Sequence, residues 1–296
     1  MRPSRIARGA LLKPPPFLYA RPQSLAEALE LLGKEGDEGK LLAGGQSLVP
    51  LLNFRLARPS VLIDLNLLSE LSYVRREDGW LEIGAMTRQR AVELSEQVVA
   101  TCPLIPEALH HVGHLQIRNR GTVGGSLAHA DPAAELPAVA VALGAELVVQ
   151  SSNGSRTLQA RDFFDGPFMT LLAPDEMLTA ARFPVTEGGR TTFLEFARRS
   201  GDFALGGVAA FVRFADGADT VADVGIAALG MGATPMRLEA AEAAVRGRTL
   251  DAVTLQEAAD AASSGVDPFT DAHADAGYRR ELIGTLVRRA LAGVAP

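Results

Sequence analysis

The stretch Lys40-Leu41-Leu42-Ala43-Gly44-Gly45-Gln46-Ser47-Leu48-Val49-Pro50-Leu51-Leu52 carries an informative order of residue types. Lys40 to Ala43 reads as a short buried strand, Gly44-Gly45 interrupts it, and Ser47 to Leu52 is placed to begin a short helix. Glycine lacks a Cβ and tolerates positive φ, so successive N–H groups can converge closely on a diphosphate. A helix N-terminus just beyond adds partial positive charge at the same point, and Ser47 offers a hydroxyl. A second segment, Gly121-Thr122-Val123-Gly124-Gly125-Ser126, repeats this chemistry, with Thr122 and Ser126 bracketing the glycines and Arg118 and Arg120 just before them. Two such loops could clamp one extended ligand from two sides. A Gly-Gly pair after a strand also serves as a plain tight turn, so the residues alone leave both readings open. Neither segment matches Gly-x-Gly-x-x-Gly, and no Gly-x-x-x-x-Gly-Lys-Ser/Thr occurs, which disfavours a Rossmann dinucleotide site and a P-loop.

Outward from these segments the periodicities predict an N-terminal α/β unit. Ser24 and Glu27 form a capping box for a helix carrying Leu25, Ala28, Leu29 and Leu32, ending near Gly33 or Gly36. Val61 to Leu65 is the unit's second strand. Trp80 to Ala85 reads as a strand, Thr87 as the cap of a helix through Leu94, and Ile105 to Val112 as a helix. The second glycine segment leads into an Ala-rich apolar run through Leu143. Glu146–Gln150 and Arg156–Gln159 read as a hairpin, and Met177–Phe183 as a strand stopped by Pro184. After a linker at 186–190 the texture changes to strands Thr192–Ala197, Val208–Phe214 and Val221–Leu229. Helices near Leu238–Val245, Leu255–Ser263 and Tyr278–Leu291 follow. Strands first and helices afterwards suggest a separate α+β domain. The last helix reads as amphipathic, with Arg279, Arg280, Arg288 and Arg289 between apolar residues.

Composition narrows the function. A net charge of -6 over 296 residues argues against a broad basic face, so nucleic acid is not expected as a partner. The single cysteine, Cys102, cannot build an intrachain disulfide, a four-cysteine zinc site or an iron–sulfur cluster, so redox work would rest on an organic cofactor. No apolar run approaches the length of a membrane span. Met1 to Pro16 lacks the apolar core of a secretory signal, and the chain is expected to be cytoplasmic. His110, His111 and His114 lack the Glu of a His-Glu-x-x-His zinc motif and any obvious third-ligand motif, so no metal site is assigned. Arg118 and Arg120 could neutralise phosphate or equally face solvent or a partner. No Ser/His/Asp or paired-carboxylate pattern stands out, and no catalytic residue is assigned.

The motifs together resemble a known family. Ala43-Gly44-Gly45-Gln46-Ser47-Leu48-Val49-Pro50 is similar to the first flavin loop of the FAD-binding medium subunits of molybdenum hydroxylases. These include the medium subunit of carbon monoxide dehydrogenase and the central region of xanthine dehydrogenase. Ile117 to Ser126 resembles their second loop. Asp131-Pro132 with Glu135-Leu136-Pro137, Leu62-Ile63-Asp64-Leu65, Ile83-Gly84-Ala85-Met86-Thr87, and Gly201-Asp202-Phe203 within Arg198–Ala204 extend the match along nearly the whole chain.

The resemblance implies an α+β protein: a two-subdomain FAD-binding fold of the vanillyl-alcohol-oxidase (PCMH) type, then a smaller C-terminal α+β domain. The expected divisions are a tail at 1–14, an FAD-binding domain at 15–185 (subdomains about 15–66 and 67–185), and a C-terminal domain at 190–292. The resemblance implies FAD on this chain, with the molybdopterin cofactor on a large partner subunit and [2Fe–2S] clusters on a small one. The assembly would be a heterotrimer or a dimer of heterotrimers. In it FAD relays electrons from the clusters to an external acceptor, and this chain does not oxidise the organic substrate alone. By the same resemblance the cofactor-binding residues are Ala43, Gly44, Gly45, Gln46, Ser47 and Leu48, then Thr122, Val123, Gly124, Gly125 and Ser126, with Glu135, Leu178 and Phe203. Three positions depart from the family's usual residues. Ser126 stands for a frequent Asn, Glu135 for Asp, and Phe203 for a frequent Tyr.

Overall fold

The computed structural model describes residues 13–296; the expected tail at 1–14 therefore lies, up to residue 12, outside the described residues. The first unit runs β1 (Leu18–Ala20), α1 (Leu25–Glu35), β2 (Gly39–Leu42), α2 (Leu48–Asn53) and β3 (Val61–Asp64). Its sheet is parallel in the order β1-β3-β2. Ser24 caps α1 by accepting from the Glu27 N–H at 3.2 Å, and Glu27 accepts from the Gln23 N–H rather than from that of Ser24. Ala28, Leu29 and Leu32 of α1 pack on Val61 and Ile63. The strand β1 was not read from the sequence. Only three residues long and largely exposed at Leu18 and Tyr19, it has no alternating pattern to read.

The second unit contains β4 (Val74–Glu77), β5 (Trp80–Gly84), α3 (Gln89–Glu93), α4 (Glu96–Thr101), α5 (Leu104–His111), α6 (Leu115–Arg120), α7 (Val123–His129), α8 (Glu135–Leu143), β6 (Glu146–Ser151), β7 (Gly154–Gln159), α9 (Ala160–Phe163), β8 (Phe164–Gly166), β9 (Met169–Thr170) and β10 (Met177–Pro184). The main sheet has the order β4-β5-β10-β6-β7 and is antiparallel. Thr87 does not cap a helix; its hydroxyl exchanges hydrogen bonds with the Tyr73 backbone, and Arg88 occupies the N-cap of α3. The second glycine segment is not a loop: Val123–His129 is helical, with Thr122 as N-cap.

The third unit is the sheet β11 (Arg190–Ala197), β12 (Ala204–Phe214), β13 (Val221–Leu229) and β14 (Met236–Arg237), followed by α10 (Glu239–Val245), α11 (Ala252–Ser264) and α12 (Ala276–Val294). Alternation along β12 and β13 assigns the two faces. Val208, Ala210, Val212, Val224 and Ile226 pack under α12 with Ile283, Val287 and Leu291. Ala209, Phe211, Ala227 and Leu229 face the other way and join the core of the second unit. Helix α8 is the shared element, buried along nearly its whole length. A Cβ on Gly225 would stand 2.1 Å from the Ala142 carbonyl oxygen, so a glycine there lets the helix backbone lie on β13. Arg279 does not point outward as the amphipathic reading of the last helix suggested. It is buried and donates to the carbonyls of Leu205 and Gly230 and to Asp271. Among the described residues no helix is long and apolar enough to cross a membrane.

Candidate functional site

Beyond the C-terminal ends of β2 and β3, where parallel strands in α/β units present ligand clefts, lies a cleft of about 500 Å³. One wall is the first glycine loop, Ala43 to Gln46. The floor holds Tyr19, Asp64 and Asn66, and the far wall is Ile117 and Arg120 of α6. Gly45 turns the chain at φ +73°. Among the described residues none supplies an acceptor to the N–H groups of Gly44, Gly45, Gln46 or Ser47. The Gln46 amide folds back on the Gly44 carbonyl at 3.1 Å. The helix that follows has only six residues, and the Ser47 side chain does not cap it, so the unused amides are the main donors here.

Gly44 is required by a close approach. A Cβ there would stand 2.4 Å from the Arg120 carbonyl oxygen and 2.8 Å from the Gly121 Cα. The two predicted segments are therefore in contact, and a Cβ on Gly125 would lie 3.5 Å from that of Ala43. Their chemistry differs, however. In the second segment the Val123 N–H donates to Thr87 O at 3.1 Å, the Gly124 N–H to Ala85 O at 2.9 Å, and the Gly125 N–H to the Thr122 hydroxyl at 3.1 Å. These donors are consumed inside the chain. Gly124 packs α7 against the residue that follows β5, since a Cβ would meet the Ala85 side chain at 2.4 Å. What the segment leaves for a ligand is its close-approach surface at Gly125 and the half-buried Ser126.

A polar network under the cleft escaped the sequence reading. Tyr19 donates to Asp64, which also accepts from the Asn66 backbone at 2.9 Å and from its side chain. Asn66 donates to Ala43 O at 3.0 Å and accepts from Arg88 at 2.5 Å; Arg88 also donates to Arg120 O. Burial acts to raise the Asp64 pKa, but the hydrogen bonds from Tyr19 and Asn66 hold it below the usual carboxylate value. The Tyr19 hydroxyl is raised, chiefly by its bond to Asp64. Asp64 lay within a quoted motif, but nothing in the sequence marks Tyr19, Asn66 or Arg88.

The two arginines before the second segment separate. Arg118 is buried and bonded to Glu93 at 2.9 Å and to Val112 O at 3.0 Å. Arg120 is exposed, lines the cleft, and has no carboxylate partner among the described residues. Glu135, Leu178 and Phe203 do not line the cleft. Glu135 opens α8; burial pushes its carboxyl up to about 8, helped by the neighbouring Glu195 and Asp131. The shift favours the protonated form, which both donates and accepts hydrogen bonds. Leu178 is buried in β10 beside a bulge, and Phe203 is exposed on the β11–β12 connection. The histidines do not converge. His110 approaches Glu93 at 3.7 Å and His111 approaches Glu195 at 3.4 Å, while His114 packs against Gly201, where a Cβ would stand 2.2 Å from its ring.

Residues 15–186 match the family of FAD binding domains in molybdopterin dehydrogenase, and residues 191–294 match the CO dehydrogenase flavoprotein C-terminal domain. The chain is 42% identical over 282 residues to the 6-hydroxypseudooxynicotine dehydrogenase complex subunit alpha of Paenarthrobacter nicotinovorans, covering 95% of each. Its fold matches carbon monoxide dehydrogenase from Hydrogenophaga pseudoflava with a TM-score of 0.92 and 40% identity, covering 95% of this chain and 98% of that one. Quinoline 2-oxidoreductase from Pseudomonas putida 86 matches with a TM-score of 0.90 and 35% identity over the same shares.

Proposed function

The chain belongs to the family of FAD-binding subunits of molybdopterin dehydrogenases and is the medium, flavin-binding subunit of an oxidoreductase of that kind; from that premise we propose that it relays electrons within a larger molybdenum hydroxylase. Bound FAD would supply the redox chemistry, taking electrons from [2Fe–2S] clusters on a small partner subunit and passing them to an external acceptor. A large partner would carry the molybdopterin cofactor and the substrate pocket. The assembly is a heterotrimer, single or doubled, working in the cytoplasm. The single observation that carries the cofactor assignment is the run of N–H groups from Gly44 to Ser47 that find no acceptor among the described residues, with Gly44, Gly45 and Gln46 lining one cleft with Arg120.

In this proposal the Gly44–Ser47 amides and Arg120 hold the diphosphate, with Ala43 and Leu48 framing the loop. Thr122, Val123 and Gly124 shape α7 so that Gly125 and Ser126 can approach the ligand. The protonated Glu135 orients hydroxyls of the sugar or ribityl chain. Leu178 and the Phe203 loop border the flavin end, where Phe203 offers a ring without a hydroxyl. Residues 15–185 form the FAD-binding domain and 190–292 the domain that closes over it. Isolation of the native complex through a tag on this chain tests the relay. It should yield one large and one small companion, with molybdenum and iron. A lone chain that oxidises an organic substrate by itself would refute it.

A further inference from the structure

The guanidinium of Arg88 spans the seam between the first two units. One of its nitrogens donates to the Asn66 side-chain oxygen at 2.5 Å and another to the Arg120 carbonyl. Asn66 in turn donates to Ala43 O at 3.0 Å. The bonds therefore run from the first glycine loop through Asn66 and Arg88 to the residue just before the second segment. Arg88 is itself held by the backbone bridge between it and Thr122, in which the Gln89 N–H donates to Gly121 O at 2.9 Å and the Val123 N–H to Thr87 O at 3.1 Å. Its anchor is thus the second unit, and its reach is to the first.

The charge balance at this seam is also uneven. Arg88 is partly buried, with its pKa lowered by that burial and by the neighbouring Arg120 guanidinium, while Asp64 acts in the opposite direction. Arg88 and Arg120 repel each other, and Asp64, the carboxylate acting against this on Arg88, also feels Arg21 and already accepts from Tyr19 and Asn66. An anionic ligand between the loop and Arg120 would relieve this repulsion.

We propose that Arg88 is a positioning residue that sets the separation of the two glycine segments, with Asn66 as its relay, so that affinity for the FAD diphosphate depends on it although it does not line the cleft. Arg88 fits this role better than lysine would. A planar guanidinium makes two directed bonds at once, whereas an ammonium is a compact point donor that cannot span both acceptors in fixed geometry. The inference rests on the FAD assignment above and adds to it a residue that no motif marks.

The test uses the full chain stripped of flavin and titrated with FAD by flavin-fluorescence quenching, with thermal unfolding of the flavin-free form recorded in parallel. Wild type that fails to bind FAD would overturn both the assignment and this inference. With wild type binding, Arg88→Ala and Asn66→Ala should each weaken FAD by about tenfold or more, the equivalent of one charge-assisted hydrogen bond. The double variant should be little worse than either single one, because both break the same relay. Arg88→Lys should fall between wild type and Arg88→Ala. Arg156→Ala removes an arginine of the edge strand β7 that pairs with Glu176 and does not line the cleft, and it should leave FAD affinity unchanged. Wild-type FAD affinity in Arg88→Ala, or additive losses in the double variant, would overturn the inference. So would losses of affinity that appear only where the flavin-free variant is already unfolding; Arg88→Lys and Asn66→Ala keep the test decisive if Arg88→Ala folds poorly.

Discussion

Replacing Gly44 by alanine perturbs the cleft with a single methyl group. The added Cβ would sit 2.4 Å from the Arg120 carbonyl oxygen, against an ordinary contact of at least 3.4 Å, so the walls must part by about 1 Å. Both partners are backbone, held by the hydrogen bond from Gly121 N–H to Ile117 O at 2.7 Å and by the Arg88 bond to Arg120 O, so no flexible side chain can absorb the shift. Overpacking of this kind costs about 1–3 kcal/mol of stability. A misplacement of about 1 Å in a positioned site costs on the order of a hundredfold in what that site does, and FAD affinity should fall by roughly 10- to 100-fold. Flavin content after purification and fluorescence titration of the flavin-free chain measure the loss, with the unfolding midpoint as control. Gly33→Ala serves as a comparison, because its Cβ meets only Ser152 Oγ at 3.6 Å. Undiminished flavin retention in Gly44→Ala would refute the claim that the two segments clamp the ligand between them.

Arg118 and Arg120 should part company on mutation. Arg118→Ala removes one of the two arginines that bond Glu93 at 2.9 Å, and because Arg90 remains it should destabilise by no more than the lower end of the roughly 3–5 kcal/mol typical of a broken buried pair. Arg120→Ala should leave the unfolding midpoint nearly unchanged, weaken FAD, and reduce the salt dependence of binding measured by titration. The Glu135 carboxyl, raised to about 8 in the folded chain, binds a proton that the unfolded chain releases above the ordinary glutamate value. Stability of the flavin-free chain should therefore fall as pH rises from about 5 to about 8, by at most about 1.4 kcal/mol per pH unit from this group. Urea unfolding of Glu135→Gln should show a flatter profile; an identical slope would count against a buried neutral acid. Cys102 is fully buried, and that burial pushes its thiol up to about 11. Native protein at pH 8 should resist iodoacetamide, with alkylation appearing only on unfolding, as mass spectrometry would show.

Local signals carried much of this fold. The Ser24 cap and the spacing of Leu25 to Leu32 placed α1, and β3 and β10 were legible as apolar runs. β12 was legible only from Val208, because Gly206 and Gly207 erase the alternation at its start. A Cβ on Gly207 would stand 2.7 Å from Leu229, 3.0 Å from the Glu195 Cβ and 3.1 Å from the Leu194 carbonyl oxygen, so packing chose glycine there where strand propensity would not. The same ambiguity hid α7. Gly124-Gly125 reads as a turn, yet the Thr122 cap and the packing on Ala85 make it the first turn of a helix. Tertiary packing also decided Arg279, a surface residue by type that satisfies the carbonyls of Leu205 in β12 and of Gly230 just after β13. At the site, glycines marked the loops, whereas Tyr19, Asn66 and Arg88 reach it through contacts between distant segments, which periodicity cannot encode.

A structure of the chain with FAD bound tests the assignment most directly. The diphosphate should lie within hydrogen-bonding distance of the Gly45, Gln46 and Ser47 amides, with Arg120 opposite and Gly125 in contact. A diphosphate bound elsewhere on the chain, or a folded chain that takes up no FAD, would contradict it.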